Sequence, residues 1–169
     1  RPNPLPVPIS ASGKPAARLG FAAVIGAVGV LCFAPFGFFW LAPAIWLGLF
    51  QLLRAAGSVR QAALCGLAFG LGFFLTGVSW VYVSLSVFGG MPWWLAGIAA
   101  FLFCAVMALF TMLAGALFKR WQPEAPWRQV LYFAALIAAV DWLRSWIFTG
   151  FPWLAIGYAH VDGPLAALA

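Results

Sequence analysis

The sequence has little charge and very little negative charge. Of the 169 residues only 7% are Asp, Glu, Lys or Arg, with three acidic residues against nine basic ones, whereas 66% are apolar. A soluble domain is usually about a quarter charged and leaves roughly a third of its unfolded surface exposed. The composition therefore excludes a soluble domain and a disordered segment. The class that remains is a protein with several membrane-spanning helices.

Residues that commonly carry catalysis are also scarce. His160 is the single histidine, and the three cysteines, Cys32, Cys65 and Cys104, lie inside long apolar runs. One histidine makes no metal site, the cysteines lack metal-ligand spacing, and no nucleophile stands near His160 and an acid. We therefore predict no catalytic residue, no metal and no cofactor in this chain.

Two long uncharged runs predict four membrane spans. The run from Leu19 to Leu53 would be about 52 Å long as one helix, well over the roughly 30 Å of bilayer hydrocarbon. It must therefore turn, at Pro35 and Gly37, into either two thin spans or a re-entrant hairpin. The next run is broken at residues 89–92, and a fifth apolar segment follows. The predicted helices cover 19–34, 38–53, 62–88, 93–118 and 129–148.

The predicted fold class is an all-α membrane protein, a bundle of about five transmembrane helices of which the first two are short. Residues 1–18 are predicted to form a cytoplasmic tail, and residues 149–169 an outer-face loop that leads into a further helix. The chain starts at Arg1 and stops at Ala169 inside a new apolar run, so we expect it to be a piece of a longer protein.

Positive charges predict the orientation of the bundle. Eight of the nine lie in the tail or in the connections 54–60 and 119–128, whereas the alternate turns carry none. Basic loops stay in the cytoplasm, so the N-terminus is predicted to be cytoplasmic. The net charge of +6 is thus explained by topology, and a nucleic-acid partner is not expected.

The outer part of the fifth helix and the loop after it hold the candidate site. Asp141 and Arg144 are three residues apart and can pair on one helix face, and charges inside a span usually face the bundle interior or a wet cavity. They form either a structural ion pair or a site where the guanidinium holds a lipid phosphate or a loop carbonyl. The loop adds Gly150, Pro152 and Trp153, either as part of an interfacial aromatic belt or as a surface for lipid or another domain.

Two long motifs resemble those of the apolipoprotein N-acyltransferase family. The first is GVSWVYVSLSVFGGMP at 77–92, and the second is WLRSWIFTGFPWL at 142–154, followed by the triplet DGP at 162–164. A shorter motif, LCFAPF at 31–36, is similar to the family's first hairpin. The motifs occur in the family's order, and the similarity extends over nearly the whole chain from about residue 19.

The resemblance implies a multi-pass enzyme of the bacterial inner membrane whose functional face is periplasmic. Such an enzyme transfers an acyl chain from a phospholipid, the acyl donor, to the N-terminal diacylglyceryl-cysteine of an apolipoprotein, the acceptor, and it contacts membrane lipids. The family's catalytic Cys, Glu and Lys belong to a nitrilase-like domain whose motifs are not matched here. The resemblance therefore implies a membrane platform that is inactive by itself.

The resemblance also points to five residues of the outer region. Gly150, Pro152 and Trp153 match the family's outer-loop motif, and Arg144 matches the arginine of its fifth helix, a region near which the lipid substrates enter. Asp141 stands where the family more commonly has Glu. From the residues alone two alternatives stay open: half of a small transporter or channel, and a membrane scaffold without enzymatic activity.

Overall fold

Six helices follow one another in a computed structural model that describes residues 15–147, 150–161, 163 and 166. They are α1 (Pro15–Gly29), α2 (Ala42–Arg54), α3 (Val59–Gly77), α4 (Trp80–Val83), α5 (Trp93–Arg120) and α6 (Pro126–Arg144). Shorter 3₁₀ segments occur at Val30–Cys32, Phe39–Leu41 and Ile156–His160, and a π-helical turn at Ser84–Phe88. These described residues include no strand, and the predicted all-α class is confirmed.

Three helical segments are long and apolar enough to cross a membrane: Pro15–Cys32, Val59–Gly77 and Trp93–Arg120. The apolar segment Phe39–Arg54 is shorter, in line with the turn that the sequence requires near Pro35. Many large apolar side chains on the outside of the bundle are exposed, such as Phe101 and Leu102 of α5. In water such a surface would aggregate, so the bundle is that of a membrane protein.

The helix predicted over 62–88 is divided in the structure. α3 ends at Gly77, a turn follows at Val78 and Ser79, and α4 and the π-helical turn continue the chain to Phe88. A Cβ atom at Gly77 would collide with the side chain of Leu154, and Val78 is fully buried. Contact with the distant 150–156 segment therefore accompanies the break, and the sequence at 78–79 contains no Gly or Pro that would predict it.

The other helix ends differ less from the sequence prediction. α1 begins at Pro15, inside the predicted tail, whose residues 1–14 lie outside the described part of the chain. α6 covers Pro126–Arg144 rather than 129–148, because Pro126 suits the first turn of a helix and the chain reverses after Arg144. Residues 148 and 149 lie outside the described residues, as does most of 162–169, where a further helix is predicted.

α3 lies between α1 and α5, and glycines make both contacts close. Gly72 meets the backbone of Ala23 in α1, and Gly26 of α1 meets the backbone of Phe69. On the other side, Gly66 contacts the carbonyl group of Thr111 in α5. Small residues allow helix backbones to approach in a bilayer, where association depends on packing rather than on expulsion of water.

The basic side chains from Arg18 onward, apart from Arg144, lie at one end of the bundle, called here the basic end. Lys119 Nζ donates to the carbonyl oxygen of Arg54 at 3.2 Å, and the Arg18 guanidinium donates to that of Ala55 at 3.4 Å. Two cations thus cap the C-terminal carbonyls of the short helix α2. The residues of the basic end are Arg18, Arg54, Arg60, Lys119, Arg120 and Arg128. The opposite end, called the loop end, contains residues 33–38, 78–92 and 150–161.

Candidate functional site at the loop end

Arg144, at the last turn of α6, is buried with 2% of its surface exposed. Its Nη2 atom donates to Asp141 Oδ1 at 2.9 Å, and its Nη1 atom donates to the carbonyl oxygens of Phe151 and Trp153, both at 2.7 Å. A charge buried without partners is very costly, and here Asp141 and two loop carbonyl groups serve as the partners. The guanidinium therefore ties the loop after α6 back onto that helix.

Asp141 holds the same loop at a second point. Its Oδ2 atom accepts a hydrogen bond from the backbone N–H of Ile156 at 3.1 Å. The two side chains together, called here the Arg144–Asp141 clamp, bind residues 151, 153 and 156. The ring of Phe74 in α3 lies 5.3 Å from Cζ of Arg144, close enough for a cation–π contact, so the clamp also joins the loop to α3.

The clamped loop contains two residues in the left-handed region of the backbone. Gly150 has φ of 83° and Leu154 has φ of 61°. Glycine takes this conformation without strain, whereas for leucine it costs roughly 1–2 kcal/mol. Leu154 is 7% exposed and contacts Gly77, so its burial and the clamp on either side of it offset the strain.

The clamped loop turns its aromatic side chains toward two apolar grooves. One, of about 300 Å³, is lined by Phe33, Pro152, Trp153 and Tyr158, among others. The other, of about 530 Å³, lies against α5 and includes Phe151. Trp153 is half exposed, and its ring packs edge-on against that of Trp80 at 5.7 Å. The loop therefore presents apolar and aromatic surface rather than charge.

The structure brings the five candidate residues together at the loop end, two on the last turn of α6 and three in the loop that follows. Arg144 and Asp141 form the clamp, and the guanidinium contacts loop carbonyls rather than the outside of the bundle. Gly150 provides the left-handed turn, while Pro152 and Trp153 are exposed. Of the five, Pro152 and Trp153 are exposed, whereas Asp141 is partly exposed and Arg144 is buried. The sequence did not indicate the roles of Phe74, Leu154 and Ile156, since none lies at a recognisable spacing from Arg144.

The loop end offers little reactive chemistry. Within the described ranges no three His, Cys, Asp or Glu side chains approach closely enough to hold a metal ion. Cys32, Cys65 and Cys104 are buried in the bundle, and the ring of His160 packs near Phe39 at 6.4 Å. The arrangement can bind apolar chains, and the described residues supply it with no activated nucleophile.

Comparison with known proteins agrees with the motifs. Residues 25–169 match the family model described as the apolipoprotein N-acyltransferase N-terminal domain. A Ralstonia nicotianae protein named apolipoprotein N-acyltransferase is 46% identical over 165 residues, covering 92% of this chain and 31% of the relative. Proteins with the same name from Photobacterium profundum and Pseudomonas syringae pv. tomato are each 40% identical, over 90% and 95% of this chain. The chain spans about three tenths of the length of these relatives.

Proposed function

The chain belongs to the family of apolipoprotein N-acyltransferase N-terminal domains, and from this premise we propose that it is the membrane platform of such an enzyme. The enzyme would transfer an acyl chain from a phospholipid to the N-terminal diacylglyceryl-cysteine of an apolipoprotein. The residues that carry out the transfer would lie outside these 169. The platform would contribute the surface against which the lipid portions of both substrates lie.

The observation that carries this proposal is the clamped loop with its apolar grooves. Both substrates bring acyl chains, and a surface of Pro152, Trp153 and Phe151 suits hydrocarbon at the edge of a bilayer. The Arg144–Asp141 clamp holds that surface in one conformation before substrate arrives, which lowers the entropy cost of binding. The loop would therefore hold the acyl chains of the substrates, and catalytic groups from another part of the enzyme would carry out the transfer.

The transporter or channel alternative finds less support. It needs polar groups along a path through the middle of the membrane. The middle of the α3–α5 contact is instead made of Gly66, Gly70 and Ala108 together with Thr111, whose hydroxyl group donates to the carbonyl oxygen of Ala108 at 2.9 Å. Within the described helices that contact is closed by direct packing.

The proposed division of labour is tested by an acyl-transfer assay. The purified 169-residue chain, in detergent with a phospholipid and a diacylglyceryl-cysteine peptide, is expected to give no N-acylated product, because the described residues of its loop end supply no activated nucleophile. The Ralstonia nicotianae relative, of which this chain spans 31%, is the control and is expected to turn over. Product formed by the 169-residue chain, under conditions in which the relative is active, would refute the proposal.

The same proposal includes an orientation: the basic end in the cytoplasm of the bacterial inner membrane and the loop end in the periplasm. It is supported by the positive-inside rule and by the collection of six basic side chains at one end of the bundle.

Labelling of single introduced cysteines tests this orientation. In intact cells a membrane-impermeant maleimide is expected to label Trp153→Cys, which is half exposed at the loop end, and not Arg120→Cys at the basic end. Both are expected to react after the cells are broken, which controls for accessibility. Reaction of the Arg120→Cys variant in intact cells would contradict the orientation.

A further inference from the structure

We propose that the basic end is a binding site for the headgroups of anionic phospholipids. It lies at the opposite end of the bundle from the loop that is proposed to meet the lipid substrates. It is independent of the acyltransferase proposal, because it follows from the charges and contacts at the basic end alone. The side chains that would form it are Arg54, Arg60, Arg120, Arg128, Trp121 and Trp127.

The guanidinium groups of the site lie at four neighbouring helix ends, those of α2, α3, α5 and α6. The bond from Lys119 Nζ to the carbonyl oxygen of Arg54 places the end of α5 beside the end of α2. Gly115 of α5 packs against Ala62, close to Arg60 at the start of α3. On the other side, the hydroxyl group of Tyr132 in α6 donates to the carbonyl oxygen of Leu117 at 3.2 Å, which places the start of α6, with Arg128, beside the end of α5.

An aromatic layer beneath the cations keeps these helix ends together. The ring of Phe50 in α2 lies 5.8 Å from that of Phe118 in α5 and 5.4 Å from that of Phe133 in α6. Such edge-on ring contacts add to the energy of apolar packing. The arginines above these rings are therefore attached to helix ends whose spacing is fixed by packing. Their positions do not depend on a long flexible loop.

The charge of the four arginines of the proposed site is not neutralised by a carboxylate within residues 15–147. Among residues 15–147 the sole ion pair is that of Arg144 with Asp141, at the other end of the bundle. Glu124 is the one carboxylate near the basic end in that range, and it pairs with none of the four arginines. Arg54, Arg60, Arg120 and Arg128 are exposed, so their charge is available to an anion from outside.

Two tryptophans define the depth of the site. Trp121 and Trp127 are each 61% exposed, and Cζ of Arg128 lies 5.1 Å from the centroid of the Trp127 ring. Exposed tryptophans at helix ends collect at the level of lipid headgroups. Arginine binds phosphate through two parallel N–H donors. Arginines beside tryptophans thus match a phosphate at the membrane surface, and the net positive charge selects an anionic headgroup over a zwitterionic one.

Native mass spectrometry of the purified chain in detergent tests this site without reference to membrane topology. We expect phosphatidylglycerol to bind about tenfold more tightly than phosphatidylcholine with the same acyl chains, since each arginine near the surface attracts anionic lipid. The double variant R120Q/R128Q is expected to lose about tenfold in affinity for phosphatidylglycerol and to leave phosphatidylcholine binding unchanged.

The matched control is Glu124→Gln, an exposed residue in the same connection, which is expected to retain or strengthen phosphatidylglycerol binding. A second variant, R54Q/R60Q, tests the other side of the site, and thermal unfolding of each variant verifies the fold. Equal affinity of the unaltered chain for the two lipids would overturn the proposal. Unchanged phosphatidylglycerol binding by both double variants would overturn it as well.

Discussion

Replacing Arg144 with glutamine is expected to lower the free energy of unfolding by about 3 kcal/mol. Removal of one partner from a buried ion pair commonly costs 3 kcal/mol or more, because the other charge is left without compensation. Here the change would also leave the carbonyl oxygens of Phe151 and Trp153 without the donor that each has now at 2.7 Å. Chemical unfolding in detergent micelles, followed by near-ultraviolet circular dichroism, measures the effect.

Two related variants separate the charge of Arg144 from its shape. Arg144→Lys keeps the charge, but an ammonium group lacks the planar fork that serves Asp141 and two carbonyls together, so we expect about half of the loss. In the double variant R144Q/D141N the combined cost should be smaller than the sum of the single costs, since the side chains share one network. A loss below about 0.5 kcal/mol for Arg144→Gln would show that the clamp does not hold the loop.

The clamp also has a consequence for the proposed activity. In the longer enzyme proposed above, Arg144→Lys should reduce acyl transfer by loosening the surface formed by Pro152 and Trp153, even though the arginine itself is buried. Chymotrypsin should then cut near residues 151–153 faster than in the unaltered chain. Unchanged cleavage together with full activity would show that the conformation of the loop does not depend on the clamp.

Gly66→Val is expected to have the second large effect, a loss of about 3 kcal/mol or failure of the bundle to assemble. A Cβ atom at Gly66 would collide with the carbonyl group of Thr111. Because that obstacle is backbone, a side chain cannot rotate away, and overpacking of this kind costs about 1–3 kcal/mol. Valine adds its methyl groups at the same contact.

The matched control for this variant is Gly97→Val. Gly97 is also helical, in α5, but a Cβ atom there would meet no atom within 4 Å. The helix propensity changes equally in the two variants, so the difference between them reports the α3–α5 contact alone. We expect Gly97→Val to unfold within about 1 kcal/mol of the unaltered chain. Equal stability of the two variants would exclude close α3–α5 packing at Gly66.

The motifs at 77–92 and 142–154 predicted the family correctly, and the structure places Arg144, Gly150, Pro152 and Trp153 at the end of α6 and in the loop that follows it. The sequence also predicted that Asp141 and Arg144 could pair, because three residues on a helix bring side chains together. It left open what else the guanidinium holds. The answer required the positions of Phe151 and Trp153, whose carbonyl groups have no signature in a sequence, since every residue has one.

The lengths of the apolar segments and the positions of the basic residues can be read directly from the sequence. Both depend only on short stretches of chain and on the surrounding bilayer. They predicted the helical class, the connections and the basic end. The break after Gly77, the left-handed backbone of Leu154 and the burial of Arg144 were decided only in three dimensions. Each of these three features arises where segments far apart in the chain pack together. Each is stabilised by contacts with residues that no local sequence pattern identifies.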